Sequence, residues 1–252
     1  MDKADRERFD ELEASGLLEK LRLRVMSFAA PIWWEVGGRR VLGNGTMSVI
    51  RTSAATFGVT ANHVLSIYER HKAEEPHVFC QLGSGPFDPV ENIIARSRHW
   101  DLATFRMPAQ TLRHWEREVL VPDEWPPAPI RQGDAIILGG YPENRRTQAP
   151  GPKPATMSPE FVSFISRAEN WSENHMAFCF DSTSWYWPQG KGLDAQPELS
   201  GASGGPCFRL VPERDRIELA GFIYEAQTAY ELIRVRQAAL ISADGAIAPD
   251  PV

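Results

Sequence analysis

The chain has 252 residues, of which 42% are hydrophobic, 10% aromatic and 24% charged, a composition typical of a soluble globular protein and not of a disordered or fibrous one. Its 27 Lys and Arg residues against 33 Asp and Glu residues give a net charge of −6. No dense basic run is present, so the sequence excludes a general nucleic-acid binder. A chain of this length can bury a sufficient core as one large domain or as two packed lobes.

The three cysteines, Cys80, Cys179 and Cys207, are far apart and form no CxxC pair, which argues against a disulfide framework and against a cysteine-rich zinc site. We expect buried thiols, no metal and no other cofactor. Residues 1–16 are highly charged, and no run of about 18 apolar residues occurs in the chain. The sequence therefore predicts a soluble cytoplasmic protein that does not act on a membrane.

Residues 5–24 carry apolar side chains at mostly helical spacing among many charges, which predicts a helical extension over residues 1–24 with a break at Gly16. We expect it to dock over the first lobe, with an oligomer contact as the alternative. Beyond it, short apolar runs alternate with Gly, Pro and Asn, a pattern typical of an all-β barrel or sandwich. The predicted strands are residues 45–51, 56–60, 78–81, 101–107 and 135–139, and short helices are expected at 65–73 and 111–118.

A proline-rich segment divides the β-rich part of the chain. Residues 121–130, VPDEWPPAPI, contain four prolines in ten positions, and proline lacks the N–H that a central strand must donate. This segment is predicted to be a linker between a first lobe, residues 25–120, and a second lobe, residues 131–246. Residues 247–252 are then a short tail, and exposed loops are expected at 149–159 and 187–197.

The segment LSGASGGPCF, residues 199–208, surrounds Ser203 with glycines. Such a turn exposes the hydroxyl and leaves N–H groups free to hold an oxyanion, although a purely structural glycine-rich loop is the alternative. The same residues match the nucleophile elbow of α/β-hydrolases, but that fold requires a histidine after the serine. The last histidine of this chain is His175, so a base for Ser203 must lie upstream.

Two upstream residues are candidates to work with the serine. His63 follows the apolar run FGVTAN at the expected end of a strand, which is a rigid mount for a base. Asp101 comes just before the apolar run LATF, where a buried charge would need a partner. Taken singly, each has an ordinary alternative: His63 as a structural histidine and Asp101 as a turn residue at the start of a strand.

Together, VTANHV around His63, DLA at 101–103 and GASGGP at 201–206 resemble three motifs of the trypsin-like, chymotrypsin-fold serine peptidases: T-A-x-H, D-[IL]-A and G-x-S-G-G-P. They also occur in that family's order, and the resemblance covers about residues 40–245. Lesser matches are NGT at 44–46, GYP at 140–142 and LAGFIY at 219–224. The resemblance implies an all-β fold of two six-stranded antiparallel β-barrels, with an active site in the cleft between them.

The resemblance also implies residue roles. His63 would take the proton of Ser203 as the hydroxyl attacks a carbonyl, Asp101 would orient the imidazole, and the N–H groups of Gly201 and Ser203 would bind the oxyanion. The chain departs from the digestive members at Ala202, where they carry an aspartate that pairs with a newly cut amino terminus. Activation by clipping is therefore not expected.

A second departure concerns the compartment. Val64 follows the histidine, where secreted relatives carry a disulfide cysteine, and this fits an intracellular or bacterial-type member.

By position in the motifs, Pro197 and Glu198 would form the floor of the substrate pocket, and Tyr224, Glu225 and Ala226 its wall. The sequence does not indicate which substrate side chain this pocket prefers.

The sequence is compatible with two functions. The first is a serine endopeptidase acting on a protein or peptide, either constitutively or latent until a protein partner activates it. The second is a non-catalytic or gated scaffold of the same fold that binds a peptide or protein.

Overall fold

The structure of the chain is a computed structural model. It describes residues 3–36, 40–75, 77–143, 146–148, 157–168, 170–171, 175–179, 185–186, 199–211, 216–227 and 232–251.

Two helices open the chain, α1 (Lys3–Ala14) and α2 (Leu17–Ser27). Gly16 lies between them with φ +71°, so the predicted helix and its break are confirmed, although the helical region extends to Ser27. The apolar side of α2 is buried, with Leu18 and Val25 at most 1% exposed. The extension was expected to dock on the first lobe, but α2 contacts strands of both sheets described below.

The first sheet contains seven antiparallel strands among the residues that the structure describes. They are β1 (Ala29–Val36), β2 (Arg40–Arg51), β3 (Thr56–Thr60), β4 (Val78–Leu82), β5 (Gly85–Pro86), β6 (Ile93–Ser97) and β7 (Leu102–Arg106). Their order in the sheet is β5-β4-β1-β2-β3-β7-β6. The register that positions the site is Ser48↔Val59 between β2 and β3 and Thr60↔Ala103 between β3 and β7.

Short helical segments accompany the sheets in the described part of the chain. Helix α3 (Asn62–Glu74) follows β3, and α4 (Ala109–Arg113) follows β7. Two 3-10 helices span Val90–Asn92 and Ala238–Leu240.

The second sheet contains eight strands among the described residues. They are β8 (Ala135–Gly140), β11 (Val162–Arg167), β12 (Asn170–Trp171), β13 (His175–Cys179), β14 (Trp185–Tyr186), β15 (Pro206–Val211), β16 (Arg216–Gln227) and β17 (Leu232–Gln237). Their order is β12-β13-β17-β16-β15-β8-β11-β14, and β9 (Arg146–Gln148) pairs separately with β10 (Met157–Pro159). The all-β class is therefore confirmed. Apart from the two-residue strands β5, β12 and β14, each large sheet has the six antiparallel strands that were predicted.

An apolar cluster lies between the two sheets, and two further clusters in the described part of the chain belong to the first and to the second sheet. The cluster between the sheets joins residues of α2, of both sheets and of the carboxyl-terminal segment: Val25, Ile50, Phe57, Trp100, Ile137, Tyr141, Phe208, Phe222 and Ile241. Residues 121–130 between the two sheets form neither helix nor strand. The segment after β17 turns back onto the first sheet, where Gly245 O accepts a hydrogen bond from Thr104 Oγ1 at 2.6 Å. This contact and the cluster between the sheets hold the lobes against each other.

Of the helices in the described part of the chain, none combines the length and the apolar character needed to cross a membrane.

Candidate active site

The sequence predicted His63 at the end of a strand, but the structure places it in the first turn of α3. Strand β3 ends at Thr60, Ala61 is extended with ψ 143°, and the helix begins at Asn62. The helix starts this early because Val64, Leu65 and Tyr68 are buried on one of its faces. His63 is thus mounted on a helix whose first turn continues directly from the sheet.

Asp101 holds His63 at two points. Its Oδ2 atom lies 2.7 Å from His63 Nδ1, and its Oδ1 atom accepts the His63 backbone N–H at 2.8 Å. Asp101 itself has φ +51°, a left-handed conformation that is uncommon outside glycine, and its carbonyl accepts a hydrogen bond from Asn62 N at 3.1 Å. The Asp101 side chain is 22% exposed and that of His63 42%, so the pair lies at the surface and its aspartate is the better shielded member.

The second sheet supports the loop that carries Asp101. Arg236 on β17 donates from Nε to Trp100 O at 2.8 Å and from Nη2 to His99 O at 3.3 Å. Its guanidinium also lies 4.0 Å from the centre of the Tyr224 ring. The position of Asp101 therefore depends on a residue of the other lobe.

Ser203 lies in a tight turn just before β15. Ala202 N donates to Leu199 O at 2.9 Å, and Gly201, the third residue of that turn, has φ +94°, as a type II turn requires. Gly204 has φ +89°, and a Cβ built there would lie 2.0 Å from Thr46 O. Both positions therefore require glycine.

The Ser203 turn is docked against the strand that leads to His63. Thr46 N donates to Ser203 O at 2.9 Å, and a Cβ at Gly204 would lie 2.2 Å from Thr60 Oγ1. Thr60 ends β3, directly before the segment that carries His63. Ser203 is 7% exposed, and among the described residues no hydrogen bond joins its hydroxyl to His63. Hydrogen bonds of this kind often form only when substrate is bound.

Two backbone N–H groups of the turn are available to a ligand. Ala202, Gly204 and Gly205 donate their N–H groups to carbonyls within the fold, whereas in the described part of the chain the N–H groups of Gly201 and Ser203 donate no hydrogen bond. Both residues are buried. Buried N–H groups are rarely left unpaired, and two of them in one turn form a favourable site for a developing oxyanion.

The residues expected to contact substrate are only partly described. Tyr224, Glu225 and Ala226 lie on β16 and are half-buried, whereas Pro197 and Glu198 lie outside the described residues. Glu225 Oε2 pairs with Arg234 Nη1 at 2.7 Å. Burial raises the pKa of the Tyr224 hydroxyl and outweighs the opposing effect of the positive charges of Arg236 and Arg234, so this hydroxyl stays protonated at neutral pH.

Other nucleophiles and metal ligands are not prominent in the described part of the chain. Cys80 and Cys207 are fully buried, and burial raises the pKa of both thiols, which keeps them un-ionised and unreactive. No group of three or more His, Cys, Asp or Glu residues that could hold a metal ion occurs among the described residues.

The structure adds two residues to which the sequence assigned no role. Arg236 belongs to the alternating strand LIRVRQ, in which nothing distinguishes it from an ordinary surface arginine. Thr46 belongs to the NGT match at 44–46, and a buried threonine in an apolar strand gives no signal of its own. Both act through contacts between the two lobes.

No family model matches the chain, and no curated protein matches it. Among solved structures, the serine endoprotease of Yersinia pestis is 14% identical with a TM-score of 0.49 over 85% of this chain, which spans only 60% of that protein's chain. A protease from M. tuberculosis in its active form is 16% identical, with a TM-score of 0.45 over 88% of this chain and 82% of that one. The thermostable serine protease AL20 from an extremophilic microorganism is 11% identical, with a TM-score of 0.46 over 84% of this chain and 91% of that one.

Two of these neighbours are named as serine proteases and the third as a protease. At identities this low, the likeness does not transfer an activity to this chain, and its function has to be inferred from its own residues.

Proposed function

We propose that this protein is a serine endopeptidase that cleaves peptide bonds through His63, Asp101 and Ser203 and an acyl-enzyme intermediate. The observation that carries the proposal is the double contact of Asp101 with the backbone and the ring of His63, at 2.8 and 2.7 Å. A carboxylate on Nδ1 makes that nitrogen the protonated one, which leaves a lone pair on Nε2 for use as a base.

In the proposed reaction, His63 Nε2 removes the proton of the Ser203 hydroxyl while the oxygen attacks the carbonyl carbon of the scissile bond. The carbonyl oxygen becomes an oxyanion and accepts hydrogen bonds from the N–H groups of Gly201 and Ser203. His63 then returns the proton to the leaving amine as the carbon–nitrogen bond breaks, leaving an ester on Ser203. Water, activated by His63 in the same way, hydrolyses this ester and restores the serine.

The proposed substrate is a protein or peptide that lies along β16. Tyr224, Glu225 and Ala226 form a half-buried stretch of this strand, and the Tyr224 ring packs beneath Arg236, which also holds the Asp101 loop. A segment bound there would lie beside the catalytic residues. The ion pair of Glu225 with Arg234 gives this wall both signs of charge, so the wall by itself does not select a charged side chain.

The test is intact-mass analysis after exposure to a fluorophosphonate, which reacts with an activated serine and requires no knowledge of the substrate. We expect one adduct on the wild-type protein, none on Ser203→Ala and one on Ser84→Ala, a matched control at an exposed serine of the first lobe. The absence of an adduct on folded wild-type protein would contradict the endopeptidase. If that protein then bound peptides, the result would favour the scaffold function.

A further inference from the structure

We propose that Thr46 is a positioning residue whose side-chain hydroxyl holds the Ser203 turn with the Gly201 and Ser203 N–H groups available in the free protein. This inference rests on the proposed function and adds to it that the oxyanion site is formed before any substrate or partner binds.

Thr46 makes an unusual set of contacts for one side chain. It lies on β2 of the first sheet and is 0% exposed. Its Oγ1 donates to Gly201 O at 2.9 Å and accepts the N–H of Tyr141 at 2.9 Å, while its own N–H donates to Ser203 O at 2.9 Å. One buried threonine of the first lobe therefore holds two carbonyls of the turn in the second lobe and a neighbouring backbone N–H.

These contacts fix the two peptide planes on either side of the Ala202–Ser203 peptide. In the plane that follows Gly201, the carbonyl binds Thr46 and the N–H of Ala202 binds Leu199 O at 2.9 Å. In the plane that follows Ser203, the carbonyl binds Thr46 N, and the Gly204 N–H binds Ile223 O at 2.7 Å. The plane between them, which carries the Ser203 N–H, is held through its own carbonyl, because Ala202 O accepts the N–H of Gly205 at 2.9 Å and the N–H of a trans peptide points the opposite way.

The plane that carries the Gly201 N–H is also held, from its carbonyl side. Ser200 O accepts the N–H of Glu143 at 2.5 Å. In a trans peptide the N–H points opposite to the carbonyl, so this hydrogen bond directs the Gly201 N–H away from Glu143. Rotating this plane by half a turn would break the Glu143 contact and would also change the φ of +94° at Gly201.

The uncharged residue at position 202 makes the hydroxyl of Thr46 more important. Ala202 is 1% exposed and carries no group that could form an ion pair, so the turn is fixed by backbone hydrogen bonds and by Thr46. Among the described residues, the Thr46 hydroxyl is the one side-chain group that binds the carbonyl of Gly201. We therefore expect the wild-type protein to react with a serine probe with no partner and no cleavage of its chain.

The experiment measures the second-order rate of fluorophosphonate labelling for four proteins: wild type, Thr46→Val, Thr46→Ser and Thr104→Val. Valine keeps the shape of threonine and removes the hydroxyl, whereas serine keeps the hydroxyl. Thr104 is the matched control, because it is also 0% exposed on the first sheet and its hydroxyl donates to a glycine carbonyl, Gly245 O, at 2.6 Å. Thermal unfolding of each protein reports the loss of stability separately.

We expect Thr46→Val to label about ten- to a hundredfold more slowly than wild type, because the N–H groups lose their orientation. Thr46→Ser should recover most of the rate, and Thr104→Val should lose stability and label within about twofold of wild type. On a cleaved peptide, the loss in Thr46→Val should fall on kcat and leave KM nearly unchanged.

Equal labelling by wild type and Thr46→Val, or equal slowing of Thr46→Val and Thr104→Val, would overturn the role of Thr46 and leave the endopeptidase intact. No labelling of wild type would overturn the endopeptidase itself. Should Thr46→Val fail to fold, Thr46→Ala removes the same hydroxyl, and its rate relative to Thr46→Ser decides the question in the same way.

Discussion

Replacing Asp101 with asparagine tests the proposed base most directly, because the structure dictates how the new side chain must lie. The His63 backbone N–H needs an acceptor at the place of Oδ1, 2.8 Å away, so the amide oxygen has to occupy that place. The amide NH2 then faces His63 Nδ1, which lies 2.7 Å from the present Oδ2. Since the NH2 group only donates, Nδ1 becomes the acceptor, and the ring proton moves to Nε2.

This change removes the base without removing a contact. With the proton on Nε2, His63 no longer has a lone pair to receive the proton of Ser203. We expect turnover and labelling to fall by about 10⁴, which corresponds to about 5.4 kcal/mol of transition-state stabilisation. Because both hydrogen bonds persist with altered polarity, the free energy of unfolding should change by no more than about 1 kcal/mol.

The assay compares fluorophosphonate labelling rates and urea unfolding of wild type, Asp101→Asn and Asp88→Asn. Asp88 is a matched control in the same lobe, because its Oδ1 accepts the Val90 N–H at 3.0 Å and its Oδ2 pairs with Lys72. Asp88→Asn should label like wild type. A labelling rate of Asp101→Asn within tenfold of wild type would refute the orienting role of Asp101. Another group would then have to orient His63.

Three further predictions concern the turn, the second lobe and pH. Gly204→Ala should destabilise the protein by at least about 2 kcal/mol more than Gly133→Ala in urea unfolding. Both glycines have positive φ, so the strain of the backbone is common to the two variants. A Cβ at Gly204 would lie 2.0 Å from a backbone oxygen, whereas a Cβ at Gly133 would meet nothing within 4 Å. Similar losses in both variants would contradict the close docking of the turn. Arg236→Gln should slow labelling about tenfold, because its hydrogen bonds hold the loop before Asp101, and an unchanged rate would remove Arg236 from the site. Hydrogen bonding from Arg209 lowers the pKa of Glu218 in the folded protein below its value in the unfolded chain. The ionised Glu218 therefore stabilises the folded state fully above the unfolded pKa, and this contribution is lost as the pH falls through the folded pKa. Glu218→Gln should flatten the acid side of the stability profile measured by urea unfolding, and an unaltered profile would contradict this assignment.

The sequence alone was sufficient for the local features. The strand at residues 56–60 was predicted with its observed bounds, because an apolar run between turn residues reports a buried strand without knowledge of its neighbours. The helix after His63 was also predicted, but it begins at Asn62 and takes in the histidine itself. The candidate residues His63, Asp101 and Ser203 were found because each lies in a short segment whose residue types fit its chemistry.

The contacts that orient these residues were decided by the tertiary structure. Thr46 meets Gly201 across 155 positions of the chain, and Arg236 meets Trp100 across 136. Strand β17 alternates between half-buried and buried residues, but such a pattern shows only which side chains face the core and not what they contact there. Which carbonyl a buried hydroxyl or guanidinium binds depends on how the two sheets pack against each other, and this packing is set by the apolar cluster between them rather than by any single segment.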